Sequence, residues 1–459
     1  MKLPDGPKTH PVLQLIQWLS DPLDYMETAA AQFGGMFTVR WGGLKTTVMV
    51  TDPQALKEMM TSPALAAPGE ANEIARPLLG DHSLILLSGE QHQSRRKLLM
   101  PPFHGERMLS YGKLICNIAQ QVVSQLVPHQ PFVARDAMQE ITLRVILQAV
   151  FGLYEGQRLE QLKQLLVTRL EMTATPLGST FIFLPFLRQD WGPWSPWGRV
   201  MQKQRQCDEL IYAEIRDRRA NPDPDRIDIL TLLLSARDEN GQGMTDIELR
   251  DELMTLLFAG HETTATSLAW ALYWTHKLPS VHDKLMQELD SLGDDPDPMD
   301  IFRLPYLTAL CNETLRIYPV GMLTFSRVVQ SPVEIMGHPF EPGAELIGSI
   351  YLTHHREDLY PEPKEFKPER FLERQFSSYE FLPFGGGSRR CIGIALAQFE
   401  MKLVLATILR HTQLVLAEEQ PVKPVRRGAL LAPQGGVSMV MKSQRLPQER
   451  SSQAAASSI

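Results

Sequence analysis

Apolar residues recur at three- and four-residue spacing along most of the chain. This period predicts helices over 12–19, 23–33, 108–127, 136–151 and 159–170, and a charged helix over 202–219. The longest pattern runs from about Thr245 to Lys277 and is apolar all round in its middle, so that helix is expected to cross the core. Thr245 and Glu248 read as a capping box at its start. Asp52-Pro53 opens another helix, with Asp as N-cap and Pro in the first turn. Alternating stretches are few. Residues 36–41 and 46–51 flank Gly42-Gly43 as a hairpin, while 325–329, 333–336 and 344–349 read as short strands among Pro/Gly turns. Leu430 to Gly436 is expected to form a hairpin turn. The pattern predicts a mainly α fold with a small β region, β-rich at about 36–51, 325–349 and 425–442.

Three stretches interrupt the pattern. Pro68 to Leu87 carries loop punctuation, and Asn221 to Arg226 is a Pro/Asp linker. Residues 181–197 hold Phe181, Phe183, Phe186, Trp191, Trp194 and Trp197 among prolines. That cluster reads either as core or as an apolar lid that could touch a membrane surface. Residues 443–459 are rich in Ser, Ala, Gln and Arg and are expected to be a disordered tail.

With 459 residues and 43% hydrophobic content, the chain exceeds one ordinary domain by length. A net charge of −7 gives no nucleic-acid footprint. Cys116, Cys207, Cys311 and Cys391 show neither CxxC pairing nor disulfide-like spacing, which predicts a reducing, cytoplasmic setting. No leader is visible, and no apolar run reaches the roughly 18 residues of a membrane span. A soluble or at most peripheral protein without a transmembrane anchor is expected.

Chemistry concentrates at Phe384-Gly385-Gly386-Gly387-Ser388-Arg389-Arg390-Cys391-Ile392-Gly393. Successive glycines exclude helix and strand and let backbone approach a large flat ligand. Cys391 precedes an apolar helical run from Ile394, whose positive end and free N–H groups favour a thiolate. A depressed thiol pKa and N–H groups aimed at sulfur suit a thiolate iron ligand. The spacing Phe-x-x-Gly-x-Arg-x-Cys-x-Gly resembles the haem-binding loop of the cytochrome P450 family.

Further stretches carry the same resemblance in the same order. Ala259-Gly260-His261-Glu262-Thr263-Thr264 places a glycine and hydroxyls in mid-helix, where they weaken or bend it. Alone this reads as a packing notch or as a groove; it is similar to the family's oxygen-binding motif. Glu313 and Arg316 share a helix face, and Pro368-Glu369-Arg370-Phe371 supplies the arginine that completes the family's structural trio. His92 and Arg96, four apart on a basic helix, stand where the family has a Trp-x-x-x-Arg pair; His92 departs from that pattern.

The resemblance implies one mostly helical unit over residues 1–442, with haem b between the long helix and the cysteine loop. It implies Cys391 as axial ligand, with Phe384, Gly387 and Gly393 shaping its loop. Ala259 and Gly260 would border the oxygen site, with Gly260 giving room over the iron. His92, Arg96, Arg327, His355 and Arg389 would meet propionates. Glu262 and Thr263 would deliver protons, His261 would be structural, and Glu313, Arg316 and Arg370 would hold the fold. The reaction implied is insertion of one atom of O2 into an apolar substrate. The overall pattern looks similar to bacterial, particularly cyanobacterial, fatty-acid and alkane hydroxylases, so a medium- or long-chain fatty acid or related lipid is expected, with a terpenoid as alternative. By family position the pocket walls would be Pro68 to Leu87, Phe181 to Phe186, Met254 to Phe258, Val320 to Thr324 and Leu431 to Pro433, and Arg76 is the one cation there that could face a carboxylate, solvent exposure being the other reading. Electrons would come from a separate ferredoxin or flavodoxin, steered by a basic patch of Arg95, Lys97, Arg390 and Lys402. A peroxygenase or hydroperoxide isomerase needs no reductase, but those relatives usually lose the acid–alcohol pair retained here. A haem sensor would need an output domain, which the pattern does not contain.

Overall fold

Thr245 closes the expected capping box. Its hydroxyl accepts from the Glu248 N–H, and the Glu248 carboxylate accepts from the Thr245 N–H. The helix that follows, Asp246–Lys277, is buried along most of its length and packs on Ala134–Phe151, Pro305–Ile317 and Ile394–His411. Ile394–His411 is buried against Glu106–Ser124. The coordinates are a computed structural model that describes residues 3–445 apart from 104–105, 175–177, 179–180, 182–186, 224 and 240. One large apolar cluster joins these helices.

The small β part lies beside them. Met36–Val39 pairs antiparallel with Thr47–Val50, with Met36 opposite Val50. Thr47–Val50 then runs parallel to Glu345–Gly348, and Arg327–Val329 and Leu65–Ala66 complete a five-stranded sheet. A second sheet holds Pro131–Val133, Ser438–Gln444 and Thr412–Leu416. Asp52 caps Pro53–Thr61 by accepting from Gln54 and Ala55 N–H groups, so the local signal there was sufficient.

Three expectations are corrected. Residues 430–436 are not one turn: Leu430–Pro433 is a strand paired with Pro424–Arg427, and Gly428, at φ 62°, lies in the turn between them. The expected tail starts too early, because Ser438–Gln444 is a strand and the Arg445 N–H donates to the His411 carbonyl at 2.9 Å. Residues 446–459 lie outside the described residues. The aromatic stretch is not core throughout: Trp197 is buried, but Trp191 and Trp194 are 70% and 90% exposed. Phe183 and Phe186 lie outside the described residues.

Candidate active site

The cysteine loop is built by backbone. The Cys391 N–H donates to the Phe384 carbonyl at 3.0 Å, and the Arg390 N–H donates to Gly387 at 3.1 Å. Gly385 and Gly387 take φ values of 66° and 63°, open to glycine at little strain. Gly386 has a different reason: a Cβ there would stand 2.3 Å from the Met60 sulfur. These glycines therefore also serve packing on Pro53–Thr61, not only approach to a ligand. Phe384 packs on the main core, and Gly393 leads directly into Ile394–His411.

Cys391 is enclosed by protein yet keeps accessible surface, so its sulfur borders interior space. Burial raises its thiol pKa, while the Gly393 N–H, Arg96 and Arg390 act in the lowering direction. The expected depressed thiol is thus not found in the protein alone, where burial outweighs the helix end. Bonding to a cation is what reverses that balance, since a coordinating thiol is deprotonated outright.

Three arginines and one histidine converge beside it. Arg327 is buried and donates to the carbonyls of Phe325 at 2.9 Å and Gly386 at 3.0 Å. Arg389 is buried and donates to those of Ala67, at 2.7 Å, and Leu84, at 2.9 Å. Burial holds both guanidinium groups down at about 10. His92, on Gly89–Leu99, is held at about 4 by burial and then by Arg389, Arg96 and Arg327. Arg96 is lowered by burial and feels the Cys391 thiolate as its favourable charge. Among the described residues, no carboxylate lies within ion-pair distance of Arg96, Arg327 or Arg389. Buried guanidinium groups without a counter-ion call for an anion. A cysteine facing interior space beside two such arginines and the half-buried Arg96 fits a metal macrocycle that carries two carboxylates.

His355 does not belong to this cluster. Its Nδ1 lies 2.9 Å from the Tyr351 carbonyl, its ring lies tilted against Tyr351 with centroids 4.1 Å apart, and its charged neighbours are Arg316, Glu27 and Lys364. The propionate role expected for it is withdrawn. The preceding residue, His354, matters instead: its Nε2 accepts from the Leu382 N–H at 3.0 Å, and its Nδ1 lies 3.2 Å from the Arg316 carbonyl. Arg316 pairs twice with Glu313, at 2.7 and 2.8 Å, both side chains being fully buried. It also donates to the carbonyls of His354, Pro363 and Glu365, and Arg370 reaches Glu313 at 3.4 Å. The structural trio thus connects through His354 and Leu382 to the cysteine loop, since Gly385 N–H donates to Leu382.

On the central helix, Ala259 is exposed and Thr263 half-buried within a mostly buried stretch. The Thr263 hydroxyl donates to the Ala259 carbonyl at 2.6 Å. Gly260 has a packing reason of its own: a Cβ there would lie 2.9 Å from Ile146 Cδ1. This fits the notch reading of Gly260. His261 is buried against Thr142 at 3.0 Å and held neutral, at about 3, by burial. Glu262 is not hydrogen-bonded to Thr263. It pairs with Arg135 at 3.2 Å and Arg427 at 3.3 Å, and Gln139 also donates to it. Arg135, Gln139 and Arg427 escaped the sequence reading because two segments distant from Glu262 contribute them, the helix Ala134–Phe151 and the strand Pro424–Arg427.

The expected basic patch does not form. Arg95 is buried against Glu248 and Glu252, Lys402 is buried under the Phe302 carbonyl, and Lys97 pairs with Glu239 at 2.9 Å. Arg390 alone of the four remains exposed without an ion-pair partner among the described residues.

A family model for cytochrome P450 matches residues 4–440. The provisionally named cytochrome P450 135B1 of Mycobacterium tuberculosis is 35% identical over 448 residues, covering 97% of this chain and 92% of its own. The provisionally named cytochrome P450 138 of the same organism is 34% identical, covering 90% of each chain. Among solved structures, a cyanobacterial CYP120A1 with bound retinoic acid superposes with a TM-score of 0.85 at 25% identity, covering 97% of this chain and 100% of its own. The haem domain of cytochrome P450DA gives 0.84 at 25% identity, covering 98% and 99%. The chain belongs to the cytochrome P450 family, a haem-thiolate class of monooxygenases, and is an oxidoreductase.

Proposed function

We propose that this protein hydroxylates a medium- or long-chain fatty acid or related lipid, with Cys391 as the thiolate ligand of its haem. The observation that carries the haem assignment is the set of buried, counter-ion-free arginines Arg327 and Arg389, with Arg96 and neutral His92, around an accessible Cys391. His92 would donate a hydrogen bond to a propionate as a neutral ring. When bound, a thiolate-ligated haem supplies O2 activation, with O–O cleavage favoured by the electron density that sulfur provides.

The chain's own residues then orient substrate, exclude water and move protons. Thr263 presents its hydroxyl beside the accessible Ala259 and would turn from the Ala259 carbonyl to donate into the cavity. Glu262 would supply the proton once released from Arg135 and Arg427. Keeping this pair favours a reductase-dependent monooxygenase over a peroxygenase or hydroperoxide isomerase. Electrons would come from a separate ferredoxin- or flavodoxin-type donor. Four free thiols are compatible with a cytoplasmic setting, and among the described residues no helix is long and apolar enough to cross a membrane.

Apolar walls support a lipid substrate: Met254 to Phe258, Val320 to Thr324 and Leu431 to Pro433 belong to the candidate lining, with Pro68 to Leu87 and the stretch that starts at Phe181. Arg76 is not free to bind its carboxylate, because it pairs with Glu73 at 2.6 Å and with Asp81. A terpenoid is the second reading, favoured by the retinoic acid, an isoprenoid acid, bound in the cyanobacterial neighbour. Optical titration of the holoprotein with saturated fatty acids, retinoids and terpenes decides between them. A low-to-high-spin Soret shift with palmitate supports the first reading; a shift with isoprenoids alone replaces it by the second.

A further inference from the structure

We propose that Arg169 anchors a carboxylate at the head of the substrate's apolar chain. The inference rests on the lipid-hydroxylase reading above. Arg169 lies on the helix Gln157–Ala174 and is 1% exposed. Leu162, Leu166, Leu170 and Thr173 are buried with it, at the three- and four-residue spacing of one helix face. That helix packs on Pro196–Ala220. There the equally buried Gln204 accepts a hydrogen bond from Arg169 Nη1. Nη2 is buried and has no hydrogen-bond partner, and among the described residues Arg169 has no ion-pair partner. A guanidinium so deep in a fold is normally paired, because an unpaired buried charge is costly.

The surrounding acids are already engaged. Gln204 Nε2 donates to Asp208 at 2.8 Å, and Asp208 accepts from Nε and Nη2 of Arg250 at 2.8 and 2.7 Å. Arg250 also donates to Asp251 at 2.7 Å, and the other Asp251 oxygen accepts from the His82 N–H at 2.9 Å. This chain of contacts runs from one helix to the next and leaves a single open end, Arg169 Nη2. Burial lowers the guanidinium pKa, and Cys207 and Asp208 oppose that only in part.

The open end stands one helical turn from the candidate substrate space. Met172 follows Arg169 by three residues and Met201 precedes Gln204 by three. Both are half-buried and pack on the apolar cluster of Leu78, Leu79, Trp197 and Val200, which Phe258 joins from the central helix. Phe258 adjoins the accessible Ala259. An apolar path thus leads from Ala259 to the two methionines, whose unbranched side chains yield readily, and ends at Arg169. An apolar acid laid along it places its tail toward Ala259 and its head on Nη2, where a charge-assisted bond fills the open donor. The other cations near these walls are engaged: Arg76 pairs with Glu73 and Asp81, and Arg188 donates to the carbonyls of Phe181 and Ile74.

The test is an optical titration of the holoprotein with dodecanoate, its methyl ester and dodecanol, and with retinoate and retinol, repeated on Arg169→Met and Arg169→Lys. Wild type should bind an acid at least about tenfold more tightly than the matching ester or alcohol. Arg169→Met should weaken the acid by at least about tenfold and the ester and alcohol by less than about twofold, and Arg169→Lys should keep part of the preference. Arg169→Met should also melt no lower than wild type, because it removes a buried charge with an unbonded donor. Wild type that binds dodecanoate no more tightly than its ester, and retinoate no more tightly than retinol, overturns the proposal without any variant. So does an Arg169→Met protein that weakens acids and alcohols alike, or neither; if that variant does not fold, an Arg169→Lys protein with the same result overturns it. An acid preference confined to retinoate and lost in Arg169→Met supports the anchor and replaces the fatty-acid reading. A fatty-acid spin shift that Arg169→Met leaves unchanged keeps that reading and removes the anchor.

Discussion

Arg327 offers a test whose sign differs between the empty and the filled protein. Arg327 is 2% exposed, and its guanidinium is held at about 10 rather than 12.5 by burial alone. At about 1.4 kcal/mol per pH unit, the charged form is about 3 kcal/mol less comfortable in the haem-free fold than in water. Its donors to Phe325 and Gly386 return part of that. In Arg327→Gln the burial penalty of the charge disappears, while the shorter amide gives up the bond to Gly386. The haem-free protein should therefore keep or gain stability, by up to about 2 kcal/mol. With haem bound, the same change leaves a propionate without its cation, a loss of about 3 kcal/mol or more, or roughly a hundredfold in affinity. The assay pairs denaturant unfolding of the haem-free variant with haem transfer to a haem-free globin acceptor. If the variant loses equal stability in both states, Arg327 is an ordinary core residue and no anion site exists around it. If haem is held as tightly as in wild type, no propionate meets this side chain.

Three further outcomes follow from the packing and the charges. Arg316→Met strands a fully buried Glu313 and three carbonyls, which costs about 3–5 kcal/mol. For 459 residues that is roughly a 3–5 °C drop in Tm, whereas Lys284→Met, which removes the surface pair to Glu369, should change stability by less than about 1 kcal/mol. Gly260→Ala gains about 1 kcal/mol of helix propensity but forces Ile146 aside, for a net loss of about 0–2 kcal/mol. A double-mutant cycle with Ile146→Val should recover that loss, and no recovery would reject the packing notch. His92, His261, His276 and His355 are held at about 4, 3, 4 and 3 by burial. All four lie below the unfolded value of about 6.5, so their contribution is complete above that pH and is lost as pH falls toward about 4 for His92 and His276 and toward about 3 for His261 and His355. Glu252, held up at about 8 by burial, and Glu400, raised by burial, run the other way. The denaturant midpoint of His276→Gln should therefore fall less than that of wild type between about pH 7 and pH 5; equal falls would show that His276 does not titrate as a buried neutral ring.

What could be read from sequence was local. The Asp52-Pro53 start, the Thr245–Glu248 box and the cysteine loop depend on neighbours within a few residues, and each appears in the fold. The chemistry set by burial and by distant partners was not legible. Arg95 and Arg96 are adjacent in sequence, yet Arg95 turns to Glu248 and Glu252 while Arg96 turns to Cys391. His354 and His355 are likewise neighbours, and only the former links Arg316 to the cysteine loop. Glu262 could be named as an acid, but its clamp by Arg135 and Arg427 exists only once residues 127 and 165 positions away fold against it. At Cys391 the helix end is visible in sequence, and the burial that raises the thiol in the haem-free protein is not.

The proposed chemistry depends above all on Cys391 as the thiolate ligand of the haem. The decisive experiment is the carbon-monoxide difference spectrum of the reduced holoprotein, taken for wild type, Cys391→Ser and Cys391→His. Wild type should show the red-shifted Soret band of a thiolate-bound haem. Both variants should lose that band, with Cys391→His retaining haem under imidazole-type ligation. A thiolate band that persists in Cys391→Ser would assign the ligand to another cysteine and refute the role given to Cys391.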